Sequence, residues 1–350
     1  MKLIVQIPCF NEEATLPRTI GDVPRAIPGI DVVEVLIVDD GSTDRTVETA
    51  LRAGADHIVR HKMNRGLAEA FRTGIDACLI RGADIIVNTD GDNQYAGASI
   101  PALIRPILLG QADIVVGDRQ VARNPHFAWI RKRLQALGSF AVRHLSGVGV
   151  ADAVSGFRAV SGEAAMRLNI VSPFSYTIEM LIQAGRQRMA VVSVPVSTNP
   201  VLRQSRLFTS VPQFILHSLA TMLRIYTMYY PLRMFAYVGA VLTVLGLAPI
   251  VRFLYFYVTE GGVGHIQSLV LGGAFLMMGF VAVLVGVVAD LINFNRRLAE
   301  LTLQKIRGLE MEAERARSLE AAAALPTQAP RGTPSDEHGQ ATVAQRSLGR

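Results

Sequence analysis

Residues 87–95 read Val-Asn-Thr-Asp-Gly-Asp-Asn-Gln-Tyr and set two carboxylates, Asp90 and Asp92, one residue apart after the apolar run Ile85-Ile86-Val87. Hard oxygen donors so spaced suit a magnesium or manganese ion that keeps positions open for phosphates. Such a pair alone is more often a solvated turn, so its neighbours decide its meaning. A first neighbour is Pro8-Cys9-Phe10-Asn11-Glu12-Glu13, where Phe10 offers a ring to a flat base and Asn11 and Glu12 offer hydrogen bonds at its edge. A second is Asp39-Asp40-Gly41-Ser42-Thr43-Asp44. Carboxylates at a strand end suit ribose hydroxyls or a base amino group, although Ser42-Thr43-Asp44 alone would satisfy a helix cap and turn. A third is dispersed over Arg119, Ser155-Gly156-Phe157-Arg158 and Arg203-Gln204-Ser205-Arg206. Guanidinium forks match phosphate oxygens bidentately.

The chain has neither Gly-x-Gly-x-x-Gly nor a P-loop pattern, so phosphates would be neutralised by metal rather than by a glycine-rich loop. Its two cysteines, Cys9 and Cys78, form no His-Cys cluster for zinc and are expected as reduced thiols.

The elements that must position these groups alternate. Strand-like runs fall at 3–7 (stopped by Pro8), 33–38, 56–60, 84–87, 113–117 and 190–196. Helical patterns lie between them, one capped by Asn11, one begun by Ser42 or Thr43, and one over 66–80. This alternation predicts an open, mostly parallel α/β sheet, whose ligands sit past the carboxyl ends of the strands. The basic helical run 124–145 reads as a solvated face, with a membrane- or phosphate-facing side as the alternative.

Hydrophobic residues make up 50% of the 350, charged residues 18%, and the apolar excess concentrates in 234–258 and 266–292. Each stretch exceeds the roughly 20 residues a spanning helix needs. Arg224 and Arg233 precede them, Arg296, Arg297, Lys305 and Arg307 follow, and the connecting 259–267 carries no Lys or Arg. The positive-inside rule then puts both flanks in the cytoplasm, with Arg252 snorkelling at the far end. The amphipathic stretch 207–233 reads as interfacial, 293–324 as a helical extension, and 325–350 as a disordered tail. The beginning of the chain does not read as a signal peptide. A net charge of +6, much of it beside the spans, favours anionic lipid headgroups over nucleic acid.

The ordered set Ile-Pro-x-Phe-Asn-Glu-Glu, Val-Asp-Asp-Gly-Ser-Thr-Asp, Asn-Arg-Gly-Leu, Asp-Gly-Asp-Asn-Gln-Tyr and Ser-Gly-Phe-Arg resembles the family-2 glycosyltransferases of GT-A fold. Within them it is similar to polyprenyl-phosphate sugar transferases that carry two C-terminal spans. The resemblance covers Met1 to about Phe208 and implies a cytoplasmic catalytic domain over 1–206 on an inner or plasma membrane. It implies transfer from a UDP- or GDP-sugar to a polyprenyl phosphate, with inversion, on Mg²⁺ or Mn²⁺. Nucleotide contacts would fall at Pro8, Phe10, Asn11, Glu12, Asp39 and Asp40, and metal contacts at Asp90, Asp92 and Gln94. Arg119, Arg203 and Arg206 would hold phosphates, while Ser155 and Arg158 would shape the acceptor pocket; Arg206 stands where many relatives have Lys. The Gln-x-x-Arg-Trp element of processive synthases is missing, the only tryptophan being Trp129. A hydroxyl-bearing lipid acceptor, with Asp152 as base, and an inactive scaffold are the alternatives. Roles for Glu179 and Asp290, and a homo-oligomeric state, are left open.

Overall fold

The computed structural model describes residues 1–120, 139, 142–143, 146–171, 176–200, 220, 223–224, 226–261 and 266–324. Arg203, Arg206, Trp129, most of 124–145 and 207–225, and 325–350 lie outside the described residues.

The first half winds strand and helix alternately: β1 (Lys2–Cys9), α1 (Leu16–Gly21), β2 (Val32–Asp39), α2 (Thr46–Arg52), β3 (His57–Arg60), α3 (Leu67–Ile80), β4 (Ile85–Asn88), α4 (Ile100–Leu108) and β5 (Ile114–Asp118). Then follow β6 (Arg158–Ser161), α5 (Gly162–Arg167), α6 (Tyr176–Arg186) and β7 (Val191–Pro195). The sheet order is β3-β2-β1-β4-β6-β5-β7. All pairings are parallel except those of β6, which runs antiparallel between β4 and β5. Side chains alternate between two apolar layers, as a period of two requires. Ile4, Leu36, Val38, Ile86 and Val160 pack with Phe71 and Leu181 on one face, and Leu3, Val5, Ile7, Ile37 and Val87 with Leu16 and Leu103 on the other. Covered on both faces, such strands read as unbroken apolar runs.

Pro8 does not stop β1. It lies inside the strand opposite Val38, while pairing with β4 ends at Gln6↔Asn88. At Pro8 the strand therefore has a neighbour on one side only, where a missing N–H is tolerated. Asn11 is not a helix cap either. It takes φ 55°, and α1 starts five residues later.

Two long helices complete the chain, α7 (Pro231–Glu260) and α8 (Ile266–Ala324). Their apolar parts, mean hydropathy 2.1 and 2.5, are long enough to cross a membrane. They meet through glycines seven residues apart. A Cβ on Gly272 would lie 2.7 Å from the Gly246 carbonyl, and one on Gly279 would lie 3.0 Å from that of Gly239. Small residues let membrane helices approach this closely. Gly279→Leu should therefore prise the hairpin apart, with an overpacking penalty of about 1–3 kcal/mol. A lower midpoint on SDS titration of the variant would show it; an unchanged midpoint would rule the contact out as a determinant.

Past its apolar part α8 returns to the sheet domain. Arg307 donates to the Leu168 carbonyl at 2.8 Å and pairs with Asp76 at 3.1 Å. The Tyr229 hydroxyl donates to Glu179 at 3.0 Å and accepts from Gln183 at 2.9 Å and Arg296 at 2.6 Å. Glu179, in the first turn of α6, thus holds helices together.

Candidate active site

Four loops converge at the carboxyl ends of β1, β2, β4 and β5, and side chains stitch them together. The Asn11 N–H donates to Ser42 Oγ, and Thr43 N–H donates to Asn11 Oδ1, each at 2.9 Å. Glu12 N–H donates to Thr46 Oγ1 at 2.8 Å. The Thr15 hydroxyl lies 2.8 Å from Glu12 Oε2 and 2.9 Å from the Gly91 carbonyl. The β1 loop is thereby tied to both the β2 and β4 loops. Asn11 and Glu12 shape the cleft wall, and Phe10, 38% exposed, keeps its ring accessible.

Asp39 and Asp40 behave differently. Asp40 is buried, accepts from Arg65 N–H at 2.9 Å and Gly66 N–H at 2.8 Å, and meets His61 Nδ1 at 2.7 Å. His61 in turn meets the Thr73 hydroxyl at 3.0 Å. Both Asp40 oxygens are engaged with the 61–66 loop, which gives this carboxylate a loop-holding role. Gly41 between the loops has φ 75°, and a Cβ there would lie 2.5 Å from the Met63 backbone. Asp39 accepts from Ser42 N–H at 3.0 Å. Arg60 Nε stands 2.9 Å from its second oxygen but off the hydrogen-bond direction, which leaves that oxygen an acceptor.

At the end of β4, Asp90 and Asp92 are half-buried. The Asp90 carboxylate lies against Gly156, with both oxygens 3.1 Å from where a Cβ would stand, and the Tyr176 hydroxyl is 3.0 Å from the same point. Asn88 Nδ2 fixes this wall by donating to the Gly156 carbonyl at 2.8 Å and to the Tyr176 hydroxyl at 3.2 Å. Tyr95 accepts from Gly156 N–H at 3.1 Å and stacks on Phe157, while Tyr176 stacks on Phe71. Burial, and next the Asp92 charge, push the Asp90 carboxyl up to about 7, against the pull of Arg119. Asp92 Oδ1 accepts from Gln94 N–H at 3.1 Å across a turn in which Asn93 takes φ 57°.

Arg119 forks onto Asp152, Nε to Oδ2 at 2.7 Å and Nη2 to Oδ1 at 3.1 Å. Only Nη1 stands outside that fork. Asp152, 1% exposed and clamped this way, is poorly placed to act as a general base. Arg158 is fully buried and turns from the cleft, donating to the carbonyls of Ser155 (2.8 Å), Thr177 (2.7 Å) and Ala153 (2.7 Å). Ser155 is likewise buried. These two shape the wall beside Asp90 from behind, and Arg158 does not serve as a phosphate fork. Asn88, Tyr95 and Tyr176, which buttress Asp90, were not singled out from sequence; Tyr176 meets Asp90 only through the packing of α6.

Residues 4–168 match the family model described as Glycosyl transferase family 2. The chain is 30% identical over 207 residues to the undecaprenyl-phosphate mannosyltransferase of Micrococcus luteus, covering 56% of this chain and 83% of that protein. It is also 30% identical to the polyprenol monophosphomannose synthase of Mycolicibacterium smegmatis, covering 56% and 77%. Among solved structures, glucosyl-3-phosphoglycerate synthase from Mycobacterium tuberculosis, in complex with Mn²⁺, UDP and glucosyl-3-phosphoglycerate, superposes with a TM-score of 0.51 at 23% identity. That match covers 64% of this chain and 79% of the other and is a likeness of fold.

Proposed function

Since the chain belongs to glycosyl transferase family 2 and carries a GT-A-like sheet domain ahead of its two apolar helices, we propose that it transfers a sugar from a UDP- or GDP-sugar to a membrane polyprenyl phosphate. The observation that carries the reading is the pair Asp90–Asp92 at the end of β4, facing a cleft walled by the β1 and β2 loops. The relatives named for undecaprenyl-phosphate and polyprenol substrates support the acceptor class.

The nucleoside would stack on Phe10, beside Pro8, with the second oxygen of Asp39, buried and without a hydrogen bond, taking a ribose or base donor. Asp90, Asp92 and Gln94 would hold a Mg²⁺ or Mn²⁺ ion. The donor set fits: oxygen atoms only, two neighbouring carboxylates of which Asp90 is raised to about 7 by burial and then by the Asp92 charge, and, among the described residues, no group of three or more His, Cys, Asp or Glu that could form a protein-only cage. A cation with so few protein ligands keeps positions for substrate phosphates, and when bound it neutralises charge on the leaving diphosphate. Arg119 Nη1 and Arg203 and Arg206, the last two outside the described residues, would face the phosphates.

A phosphate oxygen of the acceptor attacks the anomeric carbon, forming the new C–O bond. The bond to the diphosphate breaks, the nucleoside diphosphate leaves, and in-line displacement inverts the anomeric centre. The attacking oxygen is already anionic near neutral pH, so no general base is needed. The clamped state of Asp152 agrees with this and disfavours a hydroxyl acceptor. The positive-inside count supports a site on the cytoplasmic face.

The test is incubation of purified full-length protein with Mg²⁺, polyprenyl phosphate and radiolabelled UDP- and GDP-sugars. Organic-extractable label from one donor, lost on chelation, is expected; donor hydrolysis without lipid label would overturn the acceptor. Because the Asp90 carboxyl sits near 7, a cation must displace its proton. Mn²⁺ affinity measured by calorimetry should therefore rise about tenfold per pH unit below about 7 and level off above it. A flat profile would contradict the ligand role of Asp90.

A further inference from the structure

Where the sheet domain meets the membrane hairpin, guanidinium groups from three helices gather around two tyrosine rings. Arg186, at the end of α6, lies 5.0 Å from the Tyr229 ring centre and 5.7 Å from that of Tyr230. Arg233, in the first turn of α7, lies 5.5 Å from Tyr230. Arg296 of α8 lies 4.4 Å from Tyr229, but it is paired with Glu300 at 2.9 Å. Its neighbour Arg297 is exposed on α8. Among the described residues no carboxylate lies within ion-pair distance of Arg186, Arg233 or Arg297.

The arrangement is unfavourable as it stands. Burial, and then the like charge of Arg297, hold the Arg186 pKa below its usual value. An anion between these groups would relieve both effects. Stacking on tyrosine faces holds the guanidinium planes and leaves their edges to donate to oxygens, as phosphate recognition requires. Chain position sets the depth: Arg233 lies in the first turn of the first apolar helix, and Arg297 follows the apolar run 266–292 of α8. That is headgroup level, where tyrosine and arginine also concentrate. The reacting phosphate is elsewhere. Tyr176, beside Asp90, and Arg186 sit at opposite ends of α6, about 15 Å apart at ~1.5 Å per residue.

We propose that Arg186 and Arg233, set against Tyr229 and Tyr230, together with Arg297, bind the phosphate headgroup of an anionic phospholipid. This site is separate from the sugar-transfer cleft and does not depend on that reading. Its lipid would hold α6 and the first turn of α7 at a fixed height in the bilayer.

Native mass spectrometry of the full-length protein, equilibrated with equal phosphatidylglycerol and phosphatidylcholine, tests it. The wild type should retain phosphatidylglycerol selectively. Arg186→Gln combined with Arg297→Gln should weaken that retention about 25-fold, roughly fivefold per charge, with phosphatidylcholine unaffected. Arg186→Lys, which keeps the charge and loses the fork, should fall between and serves if the double variant does not fold. Equal phosphatidylglycerol retention by all three proteins would overturn the proposal. Displacement by inorganic phosphate would replace it with a soluble-anion site, and displacement by polyprenyl phosphate with an acceptor site.

Discussion

Asp92→Ala should lower sugar transfer by about 10³-fold or more while leaving the protein folded and inserted, because its proposed part is to hold the cation that offsets leaving-group charge, and it contributes little to the fold. The asymmetry is visible in its surroundings. Asp92 is half-buried, and the hydrogen bond it accepts from Gln94 N–H closes a local turn. Losing that bond belongs with surface substitutions, whose effect on stability is within about 0.5 kcal/mol. Asp90 differs: it is wedged against Gly156 and Tyr176, so Asp90→Asn, which keeps the shape, is the informative change there. The prediction is checked by measuring turnover, Mn²⁺ binding and thermal midpoint on one preparation of Asp92→Ala. Lost turnover and lost Mn²⁺ binding at an unchanged midpoint are expected. Normal turnover would remove Asp92 from the reaction.

How far the site could be read from sequence follows from how each residue is held. The ends of β1, β2 and β4 were legible because strands covered on both faces must be apolar, and a polar cluster after such a run has only the sheet edge to occupy. What adjacent residues do at that edge was less legible. Asp39 and Asp40 look equivalent in sequence, but Asp39 closes β2 and Asp40 begins the loop after it. Both are buried; one meets Ser42 and Arg60, and the other is turned to His61 and the 65–66 backbone. β6 was missed because Arg158-Ala159-Val160-Ser161 is four residues long and opens on a charge, and its partners in β4 and β5 lie far away in sequence. Tyr176 carries no local signal at all. Its place behind Asp90 arises from α6 packing on α3, where it stacks on Phe71 with ring centres 4.1 Å apart.

Arg158 gives the largest expected effect on stability. Its guanidinium is 0% exposed and donates to three main-chain carbonyls, two in the 153–155 segment and one, Thr177, in the first turn of α6. Burial pushes its pKa down to about 10, so it remains cationic at neutral pH. A buried cation without a carboxylate fork persists only if its donors are fully used, and here they tie the 153–155 segment to the start of α6. Arg158→Met fills a similar volume yet takes the guanidinium donors from the Ala153 and Ser155 carbonyls, each worth about 1–3 kcal/mol. Partial relaxation reduces the sum, and a loss of about 3–5 kcal/mol is expected, read as a lower denaturation midpoint in detergent. Arg158→Lys should recover little, since one ammonium cannot span carbonyls on two segments in the fixed geometry of the fork. Transfer should fall with stability, because the same segment carries Gly156 against Asp90. A phosphate-binding arginine would behave in the opposite way, with a raised KM, a stable fold and partial rescue by lysine. The KM and midpoint of these two variants therefore separate a wall-building Arg158 from a substrate-binding one.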